Sequence, residues 1–239
     1  MVMLNIRLLA FDADDTLWDC QSYFESVEKE YCKILAPFAS EEEVSKALFA
    51  VETANMPSLG YGCKAFVLSL IENAVEVSGG KISSHDIARI LDLGKTLLEL
   101  PGSPLPGVER TLAELKAGNA FKMVVFTKGE LLDQENKLER SGLKRYFDDV
   151  VIVSDKTPDA YQRLCSRFGV DMHEFMMVGN SFRSDIEPVL KLGGYAIHIP
   201  FHTVWQHEVV EEYDHDHLQR IRNFSEILQN FALQSRNRP

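Results

Sequence analysis

Asp12, Asp14 and Asp15 put three carboxylates within four positions, directly after the apolar run Leu8-Leu9-Ala10-Phe11, and Thr16 closes the cluster. A short apolar run that stops at polar, turn-forming residues predicts a buried strand, and open α/β sheets place ligand sites at the carboxyl ends of such strands. With a side-chain period of two, Asp14 returns to the same side as Asp12 as long as the backbone stays extended. Like charges this close are unfavourable unless a cation neutralises them or one takes up a proton. The pair therefore predicts a hard divalent metal, acid–base chemistry, or both. Taken alone, the cluster also fits a strand ending in an Asx turn, its carboxylates capping backbone amides.

Other polar groups stand in the same position relative to later apolar runs. Phe121–Phe126 ends in Thr127-Lys128-Gly129, Val150–Val153 in Ser154-Asp155-Lys156, and Phe175–Val178 in Gly179-Asn180-Ser181-Phe182-Arg183-Ser184-Asp185. A further run, Ala196–Ile199, follows. Helical periodicity separates these runs, with Val108, Leu112 and Leu115 opening the series. Short apolar runs alternating with helices predict a mostly parallel sheet with helices on both faces, a Rossmann-like core to which Leu8–Phe11 also belongs. In such a sheet the polar tips lie along one edge, so a hydroxyl, an ammonium and further oxygens converge on Asp12 and Asp14.

Between the first strand and the rest lies a segment of different character. Val27, Tyr31 and Ile34-Leu35, then Val44, Leu48 and Val51, then Phe66, Leu70 and Ala74, then Ile90-Leu91 and Leu97-Leu98 predict four helices and no strand. Ser40 with Glu43 and Ser83 with Asp86 match the capping-box pattern, the Asp version being the weaker. Pro101-Gly102-Ser103-Pro104-Leu105-Pro106-Gly107 then breaks the helical pattern and marks a domain boundary. The expected organisation is an α/β core over residues 1–18 and 102–239 with a helical insert over 19–101.

The 239 residues suffice for such a core and insert, and 45% apolar with 26% charged residues is ordinary for a globular chain. A net charge of -11 argues against nucleic acid or an anionic membrane as principal partner. It leaves a small anionic substrate open, since that responds to the local field. The start of the chain, Met1 to Arg7, shows no secretion signal, and no apolar stretch reaches the roughly 20 residues of a membrane span. Cys20, Cys32, Cys63 and Cys165 lack a CxxC spacing, which predicts buried reduced thiols in a cytoplasmic protein. His202, His207, His215 and His217 match no zinc pattern, and the mixed charges from Lys128 to Arg145 predict an exposed helix. Nothing in the sequence specifies an oligomeric state.

Asp12-x-Asp14-x-Thr16, Thr127, Lys156 and the Gly179–Asp185 element resemble, in order and in strand-tip context, the four motifs of the haloacid dehalogenase superfamily. The helical insert resembles that family's C1 cap. The resemblance implies a magnesium-dependent phosphatase with an aspartyl-phosphate intermediate, acting on a small phosphorylated molecule. It implies Asp12 as nucleophile and Asp14 as acid and base toward the leaving oxygen and the hydrolytic water. Thr127 and the Lys128 amide, with Thr16 and Gly129, would contact the phosphoryl group, and Lys156 would balance charge. Asp12, the Asp14 carbonyl, Asn180 and Asp185 would hold Mg2+. Asp14 favours phosphate esters, because dehalogenase members lack an acid–base Asp there. A phosphomutase uses the same two carboxylates, and a non-catalytic phospho-acceptor module would need only Asp12.

Two departures accompany the resemblance. The fourth motif commonly begins Gly-Asp, whereas this chain has Gly179-Asn180, which removes a formal charge from the metal site. Asp15 stands where relatives often carry Gly. In the insert, Met56–Lys64 interrupts the helical pattern and predicts a substrate-facing loop. Tyr61 could stack there and Lys64 could meet a second anion. Trp18 and Phe24 either line the same entrance or bury near the hinge.

Overall fold

The computed structural model describes residues 5–229. Met1–Leu4, which open the segment read for a leader, and the last ten residues of the expected 102–239 core segment lie outside them. Two compact units emerge. Among the described residues, one comprises 5–21, Gly102–Lys128 and 138–229; the other comprises Ser22–Pro101 and Gly129–Lys137.

The first unit is built on six parallel strands: β1 (Leu8–Phe11), β2 (Lys122–Lys128), β3 (Asp149–Val153), β4 (Phe175–Gly179), β5 (Tyr195–His198) and β6 (Leu218–Arg220). Their order is β3-β2-β1-β4-β5-β6. The chain therefore winds outward from β1 in one direction and from β4 in the other, and the β1/β4 boundary is the topological switch point at which such sheets bind ligands. Five of these strands coincide with the expected apolar runs. The sixth does not: Leu-Gln-Arg is three residues long and sits at the sheet edge, too short and polar for any periodicity.

Alternation along β1 and β2 divides the core into two layers. Leu9, Phe11, Met123 and Val125 face α5 (Val108–Gly118) through Val108, Leu112 and Leu115. Leu8, Ala10, Val124 and Phe126 pack against Tyr161, Leu164 and Cys165 of α7 (Pro158–Phe168). Each fully buried Leu or Phe contributes roughly 1.5–3 kcal/mol relative to exposure, so a register slip that exchanged the faces would be costly.

The second unit contains four helices, α1 (Gln21–Leu35), α2 (Glu41–Leu59), α3 (Cys63–Val77) and α4 (Ser84–Leu97). Both expected caps operate. Ser40 Oγ accepts from the Glu43 amide while Glu43 Oε2 accepts from the Ser40 amide at 2.9 Å, a reciprocal box. At α4 only the forward half forms, Ser83 Oγ accepting from the Asp86 amide at 3.0 Å, because the shorter Asp bonds the Ser83 hydroxyl instead. A buried polar link ties three helices together: Asn73 donates to the Tyr31 hydroxyl at 2.8 Å and to the Val44 carbonyl at 3.3 Å, and the Tyr31 hydroxyl donates to the Leu70 carbonyl at 3.0 Å.

Two expectations need correction here. The loop expected over Met56–Lys64 shrinks to Gly60–Gly62, because α2 continues through Pro57 to Leu59 and α3 starts at Cys63. A proline near a helix end forfeits one hydrogen bond and no more of the preceding turns. The mixed-charge segment forms α6 (Leu131–Ser141), exposed along one face and buried along the other. Asp133 and Lys137 are buried as an ion pair at 3.2 Å and Gln134 is buried beside them, while Leu131 and Leu132 are 60% and 58% exposed. Cys63 Sγ lies 3.6 Å from Asp133 Oδ2 within the same unit, so the charged face has polar company.

All four cysteines are buried and none is joined in a disulfide. No helix among the described residues is long and apolar enough to cross a membrane. His217 stacks on Tyr195, ring centroids 4.2 Å apart, and its Nδ1 lies 3.2 Å from the Gly194 carbonyl, which ties the approach to β6 onto β5.

Candidate active site

Parallel register sets the site. Phe11 pairs with Val125 on one side and Val178 on the other, so Asp12 leaves β1 level with Phe126 and Gly179. The Asp12 amide donates to the Val178 carbonyl at 2.9 Å, which extends the ladder one residue and fixes the carboxylate at the switch point. Lys156, three residues beyond β3, reaches the same place: its ammonium bonds Asp12 Oδ1 and, at 2.7 Å, Asp185 Oδ1. All three are buried. Thr127 is buried in β2 one residue past the level of Asp12.

One ammonium between two carboxylates leaves a net negative charge in a low-dielectric place. Burial pushes the Asp12 carboxyl up; Lys156 pulls it down, and Asp185 and Asp14 push it further up, with the net result at about 7. Burial pulls Lys156 the other way, but Asp12 and Asp185 outweigh that and hold its ammonium above the ordinary range. The lysine thus stays charged, and the charge deficit falls on the carboxylates. A divalent cation would remove it.

Asp14 and Asp15 separate from Asp12 in role. Asp14 Oδ1 accepts from the buried Trp18 indole at 2.8 Å, which aims this carboxylate independently of Asp12. Trp18 is therefore a buried support for Asp14, whereas Phe24 packs on Phe66 inside the helical unit, centroids 5.1 Å apart. Asp15 has φ 63, and its Oδ1 accepts from the amides of Cys20 (2.8 Å) and Gln21 (2.9 Å) at the start of α1. Left-handed backbone explains why glycine suits this position, and Asp tolerates it while satisfying two amides.

The Gly179–Asp185 element closes the site. A Cβ on Gly179 would collide with the Asp185 carboxylate, so only glycine lets Asp185 fold back against β4. There Asp185 Oδ2 accepts from the Ser181 amide at 3.0 Å, within a π-helical turn over Phe182–Ile186. The Asn180 amide satisfies its surroundings with its nitrogen turned inward, donating to Asp12 Oδ2 (3.2 Å), Thr16 Oγ1 (3.1 Å) and the Asp14 carbonyl (3.2 Å). The Thr16 hydroxyl in turn donates to Asp12 Oδ2 at 3.1 Å.

No three His, Cys, Asp or Glu side chains among the described residues cluster closely enough to form a metal site by themselves. The set around Asn180 is of a different kind: a carboxylate oxygen, a main-chain carbonyl and an amide that can offer oxygen when rotated. These are hard oxygen donors, few in number, and suit a magnesium ion that keeps several waters. The donor chemistry fits the ion, and rotation of Asn180 is the condition.

The remaining candidates lie elsewhere. Lys128 points its ammonium at Ser184 Oγ (3.0 Å) and the Glu208 carboxylate. Gly129 has φ 141, and a Cβ there would fall 2.9 Å from Gln134 Nε2. In the helical unit Lys64 is paired with Glu130, and Tyr61 is half-buried. Sequence reasoning missed Glu208 and the support of Asp14 by Trp18. Only the four-residue spacing of Asp14 and Trp18 held a local signal.

A family model described as haloacid dehalogenase-like hydrolase matches residues 6–193. The chain is 34% identical to a haloacid dehalogenase-like family hydrolase of Xanthomonas campestris whose crystal structure covers 98% of this chain and 95% of its own, with a TM-score of 0.85. It is 25% identical over 199 residues to glyceraldehyde 3-phosphate phosphatase of Methanocaldococcus jannaschii, 81% of this chain and 85% of that protein. It is 23% identical over 216 residues to human N-acylneuraminate-9-phosphatase, 86% and 84% of the two chains.

Proposed function

The chain belongs to the haloacid dehalogenase-like hydrolase family, and from that membership we propose that it is a magnesium-dependent phosphatase of small phosphate monoesters that works through an aspartyl-phosphate on Asp12. The observation that carries this reading is the division between two carboxylates. Asp12 is held by Lys156 on one oxygen and by Thr16 on the other, while Asp14 is oriented separately by Trp18. A nucleophile and an independent acid are what phosphate-ester cleavage requires, whereas displacement at carbon needs the first alone.

In the first half-reaction an Asp12 oxygen bonds to phosphorus as the ester P–O bond breaks, and Asp14 gives its proton to the departing oxygen. In the second, Asp14 takes a proton from water, whose oxygen bonds to phosphorus as the Asp12–phosphorus link breaks, releasing inorganic phosphate. Thr127 and the amides of Lys128 and Gly129 donate to phosphoryl oxygens, and Lys156 offsets their charge; each such donor is worth roughly 3 kcal/mol in the transition state. Asp12, the Asp14 carbonyl, Asn180 and Asp185 are the residues proposed to hold magnesium, which when bound supplies positive charge to the phosphoryl group. Tyr61 and Lys64 are proposed to contact the leaving group, and alanine at either should raise KM more than it lowers kcat.

Phosphate release from an aryl phosphate with and without magnesium, beside Asp12→Asn, tests the reading. Magnesium-dependent turnover that falls at least about a thousandfold in the variant is expected. Turnover indifferent to magnesium or to Asp12→Asn overturns it. The substrates named for the two phosphatase relatives, glyceraldehyde 3-phosphate and N-acylneuraminate 9-phosphate, begin the panel. Isomerisation in place of phosphate release would indicate a mutase, and phosphorylation without turnover a phospho-acceptor.

A further inference from the structure

The segment 199–217 joins parallel strands β5 and β6 without a crossover helix, carrying only a 3-10 turn over Gln206–Glu208. Long connections of this kind in compact domains are usually functional. This one sends a single carboxylate deep among the strand tips. Glu208 Oε1 takes the Lys128 ammonium, and Glu208 Oε2 accepts from the hydroxyls of Ser181 and, at 2.7 Å, Ser184. Lys128 also donates to Ser184 Oγ at 3.0 Å, so four side chains form a closed network, with the ion pair only 16% and 10% exposed. The turn that presents Glu208 is held in place from both sides. The Glu208 amide donates to the Trp205 carbonyl at 2.8 Å, Arg183 bonds the His207 carbonyl, and the Trp205 ring lies 5.9 Å from the Lys128 ammonium.

Ser181 and Ser184 belong to the turn that presents Asp185 to Lys156. Ser181 Oγ caps the Ser184 amide at 3.0 Å, and the Ser181 carbonyl accepts from the Asp185 amide at 2.8 Å. Lys128 directly follows Thr127, the proposed phosphoryl donor. Burial pushes the Glu208 carboxyl up, but Lys128 and the hydroxyl bonds outweigh it and keep the group below its ordinary range, hence charged. A buried charge with three partners is expensive to leave unpaired, so the network holds its members in one arrangement.

We propose that Glu208 is a positioning residue of the active site, locking the tip of β2 at Thr127-Lys128 to the turn that carries Asp185. The proposal rests on the phosphatase reading for its kinetic consequence and on geometry for the rest. Glu208 touches neither Asp12 nor Thr127, so its loss should act on kcat and leave KM nearly constant.

Glu208→Gln keeps an acceptor for the serine hydroxyls but drops the charge that holds Lys128, and Glu208→Ala removes both. Per folded molecule, kcat for an aryl phosphate should fall about tenfold in the first and about a hundredfold in the second, with KM within about twofold. In a Lys128→Met background, Glu208→Gln should cost less than about twofold, because the pair acts as a unit. Amide exchange in Glu208→Ala should accelerate at Lys128, Ser184 and Asp185 while α5 keeps its wild-type rates. Full multiplicativity with Lys128→Met, or a loss confined to melting temperature at unchanged kcat, overturns the proposal. If the wild-type enzyme released no phosphate, the phosphatase reading would fail, and exchange alone would decide Glu208: unchanged rates at those three amides overturn its positioning role.

Discussion

Asn180→Asp changes a donor into a charge at the centre of the site. Turned inward, the wild-type amide nitrogen stands 3.2 Å from Asp12 Oδ2 and 3.2 Å from the Asp14 carbonyl and can hydrogen-bond both. A carboxylate oxygen placed there would lose those bonds and meet another anion. At 3.2 Å and an effective dielectric of about 20, two unit charges repel by roughly 5 kcal/mol. Proton uptake by one of the pair relieves part of this, leaving a metal-free loss of about 3 kcal/mol. For a chain of this size that lowers Tm by about 6–12 °C. Asn180→Ala gives up the hydrogen bonds without adding charge and should cost about 1 kcal/mol. With magnesium the order inverts, because the added anion is a hard ligand that needs no amide rotation, and affinity should rise about tenfold or more. Thermal melts across a magnesium titration, with calorimetric Kd values, measure both effects. Equal metal-free Tm for the two variants, together with unchanged magnesium affinity in Asn180→Asp, would refute the inward-facing amide and the metal role built on it.

Trp18→Phe removes the indole that donates to Asp14 Oδ1 at 2.8 Å. Because that bond aims the carboxylate, its loss should lower kcat about tenfold with KM little changed; an unchanged kcat would show that Trp18 does not position a catalytic Asp14. Gly179→Ala places a Cβ against the Asp185 carboxylate and should displace it from Lys156, costing at least about 2–3 kcal/mol by urea melts and more than about a hundredfold in kcat. Within the helical unit, burial and then Glu28 push Glu52 up to about 7. Between its ordinary value of 4.5 and about 7 the native state holds more protons than the unfolded chain, so this group's contribution to stability falls as pH rises through that window. Glu52→Gln should match wild type at pH 4 and exceed it by on the order of 1 kcal/mol at pH 8, and a constant difference at both would disprove the linkage.

Much of the sheet was legible because four strands bury contiguous apolar side chains and β3 packs its valines half-buried on the same core, and the helical unit because its apolar stripe repeats at helical spacing. The Ser40 cap could be read because its partner lies three residues away. Edge strand β6 buries little and left no pattern. Helix α6 departs from the expectation for a definite reason: mixed charges are expected to stay solvated, and here Asp133 and Lys137 neutralise one another inside while Leu131 and Leu132 stay out.

The sequence by itself determined which chemistry the strand tips can hold: carboxylates at Asp12 and Asp14, a hydroxyl at Thr127, an ammonium at Lys156 and a glycine where Asp185 folds back. These are short-range facts, set by residue type and by where an apolar run stops. Tertiary structure decided how the groups are partnered. Glu208 joins Lys128 from 80 residues away, Lys156 bridges Asp12 and Asp185 across three strand ends, and the Asn180 amide is aimed at Asp12, Thr16 and the Asp14 carbonyl. Hydrophobic pattern records which face of an element is buried, but the partner of a buried polar group comes from another element, so only the assembled sheet specifies it.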